Sequence, residues 1–332
     1  VGEVVHSLNP DPTKFLTLRS CFQTILGKLR SLDIASLELT LTLHKGDTMS
    51  KIRSLLTLFA LCVAVGIAWM AYASRGSATL ADGPNLSVRS DVLGSQWVVR
   101  DENIPADACS AIEGEVTPGL RKLVRFTVMT PNTGNQDIFV GDPNEHAALN
   151  DGLFELAICH QHYHFRHYAL YELVDPRTGQ IWRAAKKGFC MLDTDPNPVP
   201  IGGVPPRSGK FRNCGAIGIP GNQGVTAGWA DTYRFTLAGQ YFVLDGGDGQ
   251  PVVPPGDYII RITVNPPFAA KKGEACPNRD PEGFCHQLPE TDYSDNVGTA
   301  AISIPDHPGR KGVGPLAGNN EKTVECDHDC NK

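Results

Sequence analysis

Between Tyr258 and Asn265 apolar and polar positions alternate. Tyr258, Ile260, Ile262 and Val264 fall on one side, and Ile259, Arg261, Thr263 and Asn265 on the other. A two-residue period marks a half-buried strand, because successive side chains of an extended chain point to opposite faces. Pro254-Pro255-Gly256-Asp257 supplies the turn that opens it. Three further apolar runs, Leu123 to Met129, Phe154 to Ile158 and Tyr168 to Val174, are short and two of them are closed by turn residues. Pro131-Asn132-Thr133-Gly134-Asn135 follows the first, and Asp175-Pro176-Arg177-Thr178-Gly179 closes the third. No stretch beyond residue 82 keeps a 3.6-residue apolar period over three turns. The 34 glycines and 25 prolines, 59 of 332 residues, are too many breakers for a helical bundle. The expected fold class is all-β, a β-sandwich whose long loops carry the chemistry.

The segment from Met49 is of a different kind. Lys51 and Arg53 precede 19 uncharged residues, Leu55 to Ala73, which end in Ala71-Tyr72-Ala73. A basic start, an apolar centre and small residues at the end make a secretory signal, and 19 uncharged residues also suffice for an uncleaved membrane anchor. Residues 1–48 are read as a non-native extension ahead of a start at Met49. The expected organisation is then a signal or anchor over 49–81, a lead-in over 82–118, a catalytic β domain over 119–306 and a polar tail over 307–332. The expected location is secreted, periplasmic or cell-surface, with the membrane engaged only through an uncleaved N-terminal segment.

Export agrees with the cysteines. Beyond Cys21 and Cys62 there are eight, at 109, 159, 190, 214, 276, 285, 326 and 330. An even count in an exported chain points to disulfides, although eight cysteines allow 105 pairings. Cys276 and Cys285 flank a Pro/Gly loop that they could close. Cys326 and Cys330 enclose Asp327, His328 and Asp329, readable as a polar tail, a local disulfide or a small metal site. A net charge of −6 gives no electrostatic reason to bind nucleic acid, which is excluded as a partner.

Four of the ten histidines lie in His160-Gln161-His162-Tyr163-His164-Phe165-Arg166-His167. In an extended segment His160, His162 and His164 share a face. Three neutral imidazoles suit copper, zinc, iron or nickel. One obstacle follows from strand geometry: residues i and i+4 of a straight strand stand about 13 Å apart, whereas two ligand bonds span about 4 Å. The segment must bend if all three are to hold one ion.

Cys159-His160-Gln161-His162-Tyr163-His164 resembles the copper-binding C-H-Q-H-Y-H segment of the lysyl oxidase family. Lys186-Lys187-Gly188-Phe189-Cys190-Met191-Leu192-Asp193-Thr194 is similar to that family's K-x-x-F-C-L-x-D-T, and Asp231-Thr232-Tyr233 to its D-T-Y. Tyr258 to Pro266 and Glu290 to Asn296 are similar to its closing G-x-Y-I-L-x-V-x-V-N-P and E-S-D-Y-x-N-N stretches. The resemblance follows one order along the chain, over about residues 120–305.

The resemblance implies a copper amine oxidase that builds its second cofactor, lysine tyrosylquinone, from its own side chains. Tyr233 would be the quinone precursor and Lys186 the cross-linking partner, with Lys187 the rival in the neighbouring register. Such an enzyme turns primary amines, including peptidyl lysine, into aldehydes, using O2 and releasing hydrogen peroxide and ammonia. Copper and the quinone are needed because no free side chain accepts two electrons reversibly in this way. Asp231, two residues from Tyr233, is the candidate general base. Cys159 and Cys214 occupy positions that pair in the family. The family's short disulfides beside its lysine and D-T-Y segments lack partners here, and Cys109 is taken as a candidate partner for Cys190 instead. His167 is carried only as a supporting or substrate-binding candidate, or as a hydrogen-bonded histidine beside Tyr168.

A rival reading from another class is a non-catalytic, metal-binding extracellular β-sandwich of the adhesion type. Asn132-Thr133-Gly134, the Pro255-to-Tyr258 strand entry and the Asp292-to-Asn296 stretch suit such a module. It has no need of Lys186 or Tyr233, so the two readings part on whether those residues meet beside the histidines.

Overall fold

A computed structural model describes residues 82–186, 188–197, 207–271 and 275–323. All lie in the compact unit that begins at Ser77. Residues 1–48, the apolar segment after Met49, Lys187 and the Cys326–Cys330 tail fall outside the described residues. The described elements begin with α1 (Ser90–Ser95), β1 (Trp97–Ile104), α2 (Cys109–Ile112), β2 (Gly119–Phe126), β3 (Val128–Pro131) and β4 (Ile138–Gly141). There follow α3 (Pro143–Leu149), β5 (Phe154–Ala157), β6 (His162–Phe165), β7 (Ala169–Val174), β8 (Ile181–Arg183), β9 (Asp195–Pro196) and β10 (Gln223–Val225). The last are β11 (Trp229–Tyr233), β12 (Tyr241–Val243), β13 (Gly256–Val264), β14 (Asn278–Arg279), β15 (Cys285–His286) and β16 (Val297–Ile304). The protein is all-β, as its sequence pattern requires. Its described helices run to seven residues at most.

The longest pairings build two antiparallel sheets, β1-β2-β12 and β16-β13-β7-β8. In β13 the alternation read from the sequence is realised: Tyr258, Ile260, Ile262 and Val264 are buried, and Ile259, Arg261 and Thr263 are not. β16 pairs with it over eight residues, from Gly256↔Ile304 to Thr263↔Val297, and alternates in step. Side chains from both sheets share one core. The Phe126 ring of β2 meets Tyr171 of β7 edge-on at 5.5 Å and stacks on Phe242 of β12 at 4.9 Å. Full burial of each such side chain is worth roughly 1.5–3 kcal/mol.

The run Leu123 to Met129 does not form one strand. Thr127 breaks it, its N–H donating to the Gln96 carbonyl and its hydroxyl accepting from the Phe235 N–H. The chain thereby leaves the first sheet as β2 and enters the small sheet β3-β11-β9 as β3. That step carries β11, with Asp231 and Tyr233, to the edge of the core. Behind the step lies Arg125, fully buried. It pairs with Glu102 at 2.8 Å, donates to the carbonyls of Phe235 and Leu237, and lies over the Tyr241 ring. A buried guanidinium tied to two carbonyls fixes the loop after Tyr233.

Candidate active site

The histidine segment escapes the 13 Å obstacle by bending before its strand begins. Gln161 takes a left-handed conformation (φ 55°), so only His162 and His164 belong to β6 and His160 folds back from the turn. The three ring centroids lie 5.0, 5.3 and 5.6 Å apart. Imidazoles sharing one ion, with metal–nitrogen bonds of about 2.0–2.1 Å, hold their centroids roughly 4.5–5.5 Å apart. The Nε2 atoms of His162 and His164 face each other at 3.2 Å. Two nitrogens on one ion stand about 3–3.5 Å apart, so the trio suits a single metal. Among the described residues no group of three His, Cys, Asp or Glu side chains already forms a closed ligand arrangement. The Nδ1 atom of His160 faces Glu113 Oε2 at 3.4 Å.

Each ring is held from behind by something different. The backbone of His160 hydrogen-bonds the His162 ring. His164 lies against Gly188, where an added Cβ would stand 2.3 Å from Nδ1. Burial, then His160 and Lys186, pushes His162 down to about 4, and burial with Lys186 puts His164 well below its ordinary value. Both are therefore neutral at physiological pH, the form that binds a metal. Burial pushes Glu113 upward, but His160 and the Cys159 N–H outweigh it and leave this carboxyl below its usual value.

Lys186 and Tyr233 meet beside the trio. Nζ of Lys186 stands 5.1 Å from the Tyr233 ring centroid and 5.4 Å from that of Phe189. The Lys186 N–H donates to the Gly239 carbonyl. Gly239 has φ 67°, and a Cβ there would approach Glu115 Oε2 at 2.8 Å. Tyr233 donates its hydroxyl hydrogen to the Cys190 carbonyl at 2.7 Å and receives the Phe189 ring edge-on at 5.1 Å. Burial and Asp231 push the Tyr233 phenol well above its ordinary value. His160, His162, His164, Lys186 and Tyr233 line one cavity of about 40 Å³, completed by Cys190, Leu237 and Ala238. That space holds an ion and one or two waters.

Two of the sequence candidates stand apart from this cavity. Asp231 is fully buried beside Tyr168, which hydrogen-bonds it, while its Oδ2 has no hydrogen-bond partner. Burial pushes the acid well above its ordinary range. His167 is exposed in the turn after β6. Lys187, the rival of Lys186, lies outside the described residues.

The expected disulfides at the site are corrected. Cys159 pairs with Cys109, not Cys214, and Cys190 pairs with Cys214, not Cys109. The short helix α2 lies against the histidine turn and brings Cys109 to Cys159. Cys214 is drawn instead to the lysine segment through Gln223, whose side chain accepts from Met191 N–H and donates to the carbonyls of Cys214 and Tyr163. Cys276–Cys285 closes its loop as the spacing suggested.

Further residues build the site: Glu113, outside every motif, and Asp193 and Thr194, which close the lysine motif. Glu113 lies 46 residues before the cysteine whose N–H it accepts. Asp193, 1% exposed, accepts from the N–H groups of Lys210, Phe211 and Thr226 and from the Thr226 hydroxyl. Thr194 bonds the Ala230 carbonyl and the Thr232 N–H. Within the Asp-Thr pair that closes the lysine motif, Thr194 ties that segment to β11, and Asp193 ties it to the stretches at Lys210–Phe211 and Thr226.

Fold and site together define an all-β domain in which a three-histidine cluster, a lysine and a tyrosine line a single cavity. The sequence profile of the family described as Lysyl oxidase matches residues 97–278, more than half of the chain. The chain belongs to the lysyl oxidase family. It is 29% identical over 194 residues to lysyl oxidase homolog 2 of Gallus gallus, covering 57% of this chain and 19% of that protein. It is 25% identical over 232 residues to lysyl oxidase homolog 2 of Rattus norvegicus, covering 67% of this chain and 24% of that protein. With protein-lysine 6-oxidase of Gallus gallus it shares 27% over 191 residues, covering 56% of this chain and 35% of that protein. The chain thus spans about a fifth to a third of the length of these relatives.

Proposed function

We propose that the protein is an exported copper amine oxidase that converts primary amines, peptidyl lysine among them, to aldehydes with release of hydrogen peroxide and ammonia. The observation that carries this reading is the convergence of His160, His162, His164, Lys186 and Tyr233 on one cavity. An adhesion-type module has no use for a lysine amine 5.1 Å from a tyrosine ring beside three histidines. His160, His162 and His164 would hold copper, and Lys186 and Tyr233 would supply lysine tyrosylquinone. Copper and the quinone, when present, provide the two-electron exchange with O2 that no ordinary side chain can.

The chain's own residues then do the positioning. The Cys190 carbonyl holds the Tyr233 hydroxyl, and Phe189 fixes the ring plane. The Gly239 carbonyl aims Lys186 across that ring. Leu237 and Ala238 make that part of the wall apolar, and Lys186 would join the ring through its amine. Asp231 would take the proton from the substrate carbon; burial raises its acid well above the ordinary carboxylate range. It lies behind the cavity wall, so it acts only if the Tyr233 segment gives it access.

The test is to load the full chain with copper in air and probe it with phenylhydrazine. A coloured adduct that is absent from Tyr233→Phe and Lys186→Ala supports the oxidase. Bound copper with no adduct in the parent overturns it and leaves a metal-binding β domain. Asp231→Asn should form the adduct yet lose turnover with an amine substrate.

A further inference from the structure

Glu113 is the acidic side chain placed at the back of the histidine cluster. It caps the C-terminal end of α2, four residues after Cys109. The Cys109–Cys159 disulfide delivers it to the residue just before His160. One carboxylate oxygen accepts the Cys159 N–H at 3.1 Å, and the other stands 3.4 Å from His160 Nδ1. That nitrogen is buried and has no hydrogen-bond partner. Buried polar atoms are almost always satisfied, and a movement of a few tenths of an ångström would bring the pair to hydrogen-bond distance.

We propose that Glu113 is the positioning carboxylate of the metal centre: it takes the Nδ1 hydrogen of His160 and so commits Nε2 of that ring to the ion. The argument rests on the functional reading above and adds to it which nitrogen binds and why. A neutral imidazole has one protonated and one free nitrogen, and the hydrogen bond made by the first selects the second as ligand. Nδ1 faces a carboxylate, an acceptor that can only receive. Metal-bound histidines generally donate their other N–H to such a carboxylate or carbonyl, and removing that partner costs about 10–100-fold in metal affinity. The three rings are then oriented by three different devices, the Glu113 carboxylate, the His160 backbone and the Gly188 surface. The disulfide has a role beyond stability, since it is the link that holds Glu113 at the centre.

The experiment measures Cu(II) affinity of the full-length parent, Glu113→Gln and Glu113→Ala by competition with a chelator, together with their Cu(II) electron paramagnetic resonance spectra. Glu113→Gln keeps an acceptor for the Cys159 N–H and removes the charge behind His160. It should bind copper about 10-fold more weakly and Glu113→Ala up to about 100-fold more weakly, both with altered copper hyperfine splitting. A mutation-free measurement stands beside this. In the zinc-loaded parent, 15N-resolved NMR should show His160 protonated at Nδ1 and metal-bound at Nε2. Unchanged affinity and spectra in both variants overturn the proposal, as does His160 bound through Nδ1; should either variant fail to fold, the NMR result alone decides. A parent that binds no copper overturns the functional reading and this role together, whereas copper bound equally by parent and variants removes only the role of Glu113.

Discussion

Gly188→Ala is a one-carbon test of the site's geometry. The added Cβ would stand 2.3 Å from His164 Nδ1 and 2.8 Å from both Cβ and Cγ of that residue. Ordinary contacts between such atoms are about 3.5–4.0 Å, so the ring must withdraw by about 1 Å. It has little freedom to do so, because His164 is 6% exposed and its backbone is paired with Glu155 of β5. Overpacking of this kind costs about 1–3 kcal/mol. Replacing glycine by alanine returns about 0.4–1 kcal/mol by restricting the unfolded chain. The overlap wins, for a net loss of about 1–2 kcal/mol, or roughly 2–8 °C in melting temperature for a domain of this size. A ring displaced by about 1 Å also misplaces a ligand whose bond is about 2 Å long, so copper affinity should fall at least about 10-fold. Thermal unfolding of the metal-free protein and chelator competition with copper measure the two effects. Gly94→Ala is the control: it lies within α1, and its nearest neighbour to an added Cβ is Ala300 Cβ at 4.0 Å. It should stabilise by about 0.5–1 kcal/mol. A Gly188→Ala protein as stable as the parent, binding copper within about threefold, would refute the reading of Gly188 as the surface behind His164.

Arg125→Met should cost about 1–3 kcal/mol in urea unfolding, because Glu102 keeps Arg100 and Thr323 as partners while the carbonyls of Phe235 and Leu237 lose their donor; a loss under about 0.5 kcal/mol would contradict that. A pH dependence follows from Glu290, which burial pushes up to about 8 despite three N–H donors from Leu86, Asn265 and Asn296. Its native pKa exceeds its ordinary value of 4.5, so the folded protein holds a proton that the unfolded chain has released, and stability falls as pH rises towards 8. The lowered His162 has the opposite sign, but its contribution is complete above about pH 6.5. The Glu290 slope is close to about 1.4 kcal/mol per pH unit near pH 6.5 and falls to about half of that at pH 8, where the group is half ionised, and Glu290→Gln should flatten it in urea titrations at several pH values. An unchanged slope in that variant would show that Glu290 is ionised in the folded state.

What the sequence determined by itself was whatever depends on near neighbours. The alternation from Tyr258 to Val264 specified a strand with one buried face, since a one-residue shift in register would expose every apolar side chain. The histidine trio was legible as a cluster, and the geometry of an extended chain already demanded a bend. The structure places that bend at Gln161, which bears no turn signature of its own. Ordered motif agreement brought Lys186 and Tyr233 into one argument, but not into contact. The two segments are tied through Thr194, which binds backbone groups of Ala230 and Thr232, up to 38 residues away.

Only the tertiary structure decided the partners of Cys109, Cys159, Cys190 and Cys214, the split of the run Leu123 to Met129, and Glu113. Cysteine spacing does not encode pairing, because a cross-link needs two chain segments brought together by the core, and the packing of α2 on the histidine turn sends Cys109 to Cys159. Thr127 ends β2 because its N–H and hydroxyl find partners at Gln96 and Phe235, positions that no local pattern names. Glu113 is one carboxylate among 36 acidic residues in the sequence. It becomes a candidate part of the site only because the folded chain places it 3.4 Å from a buried histidine nitrogen that has no other partner.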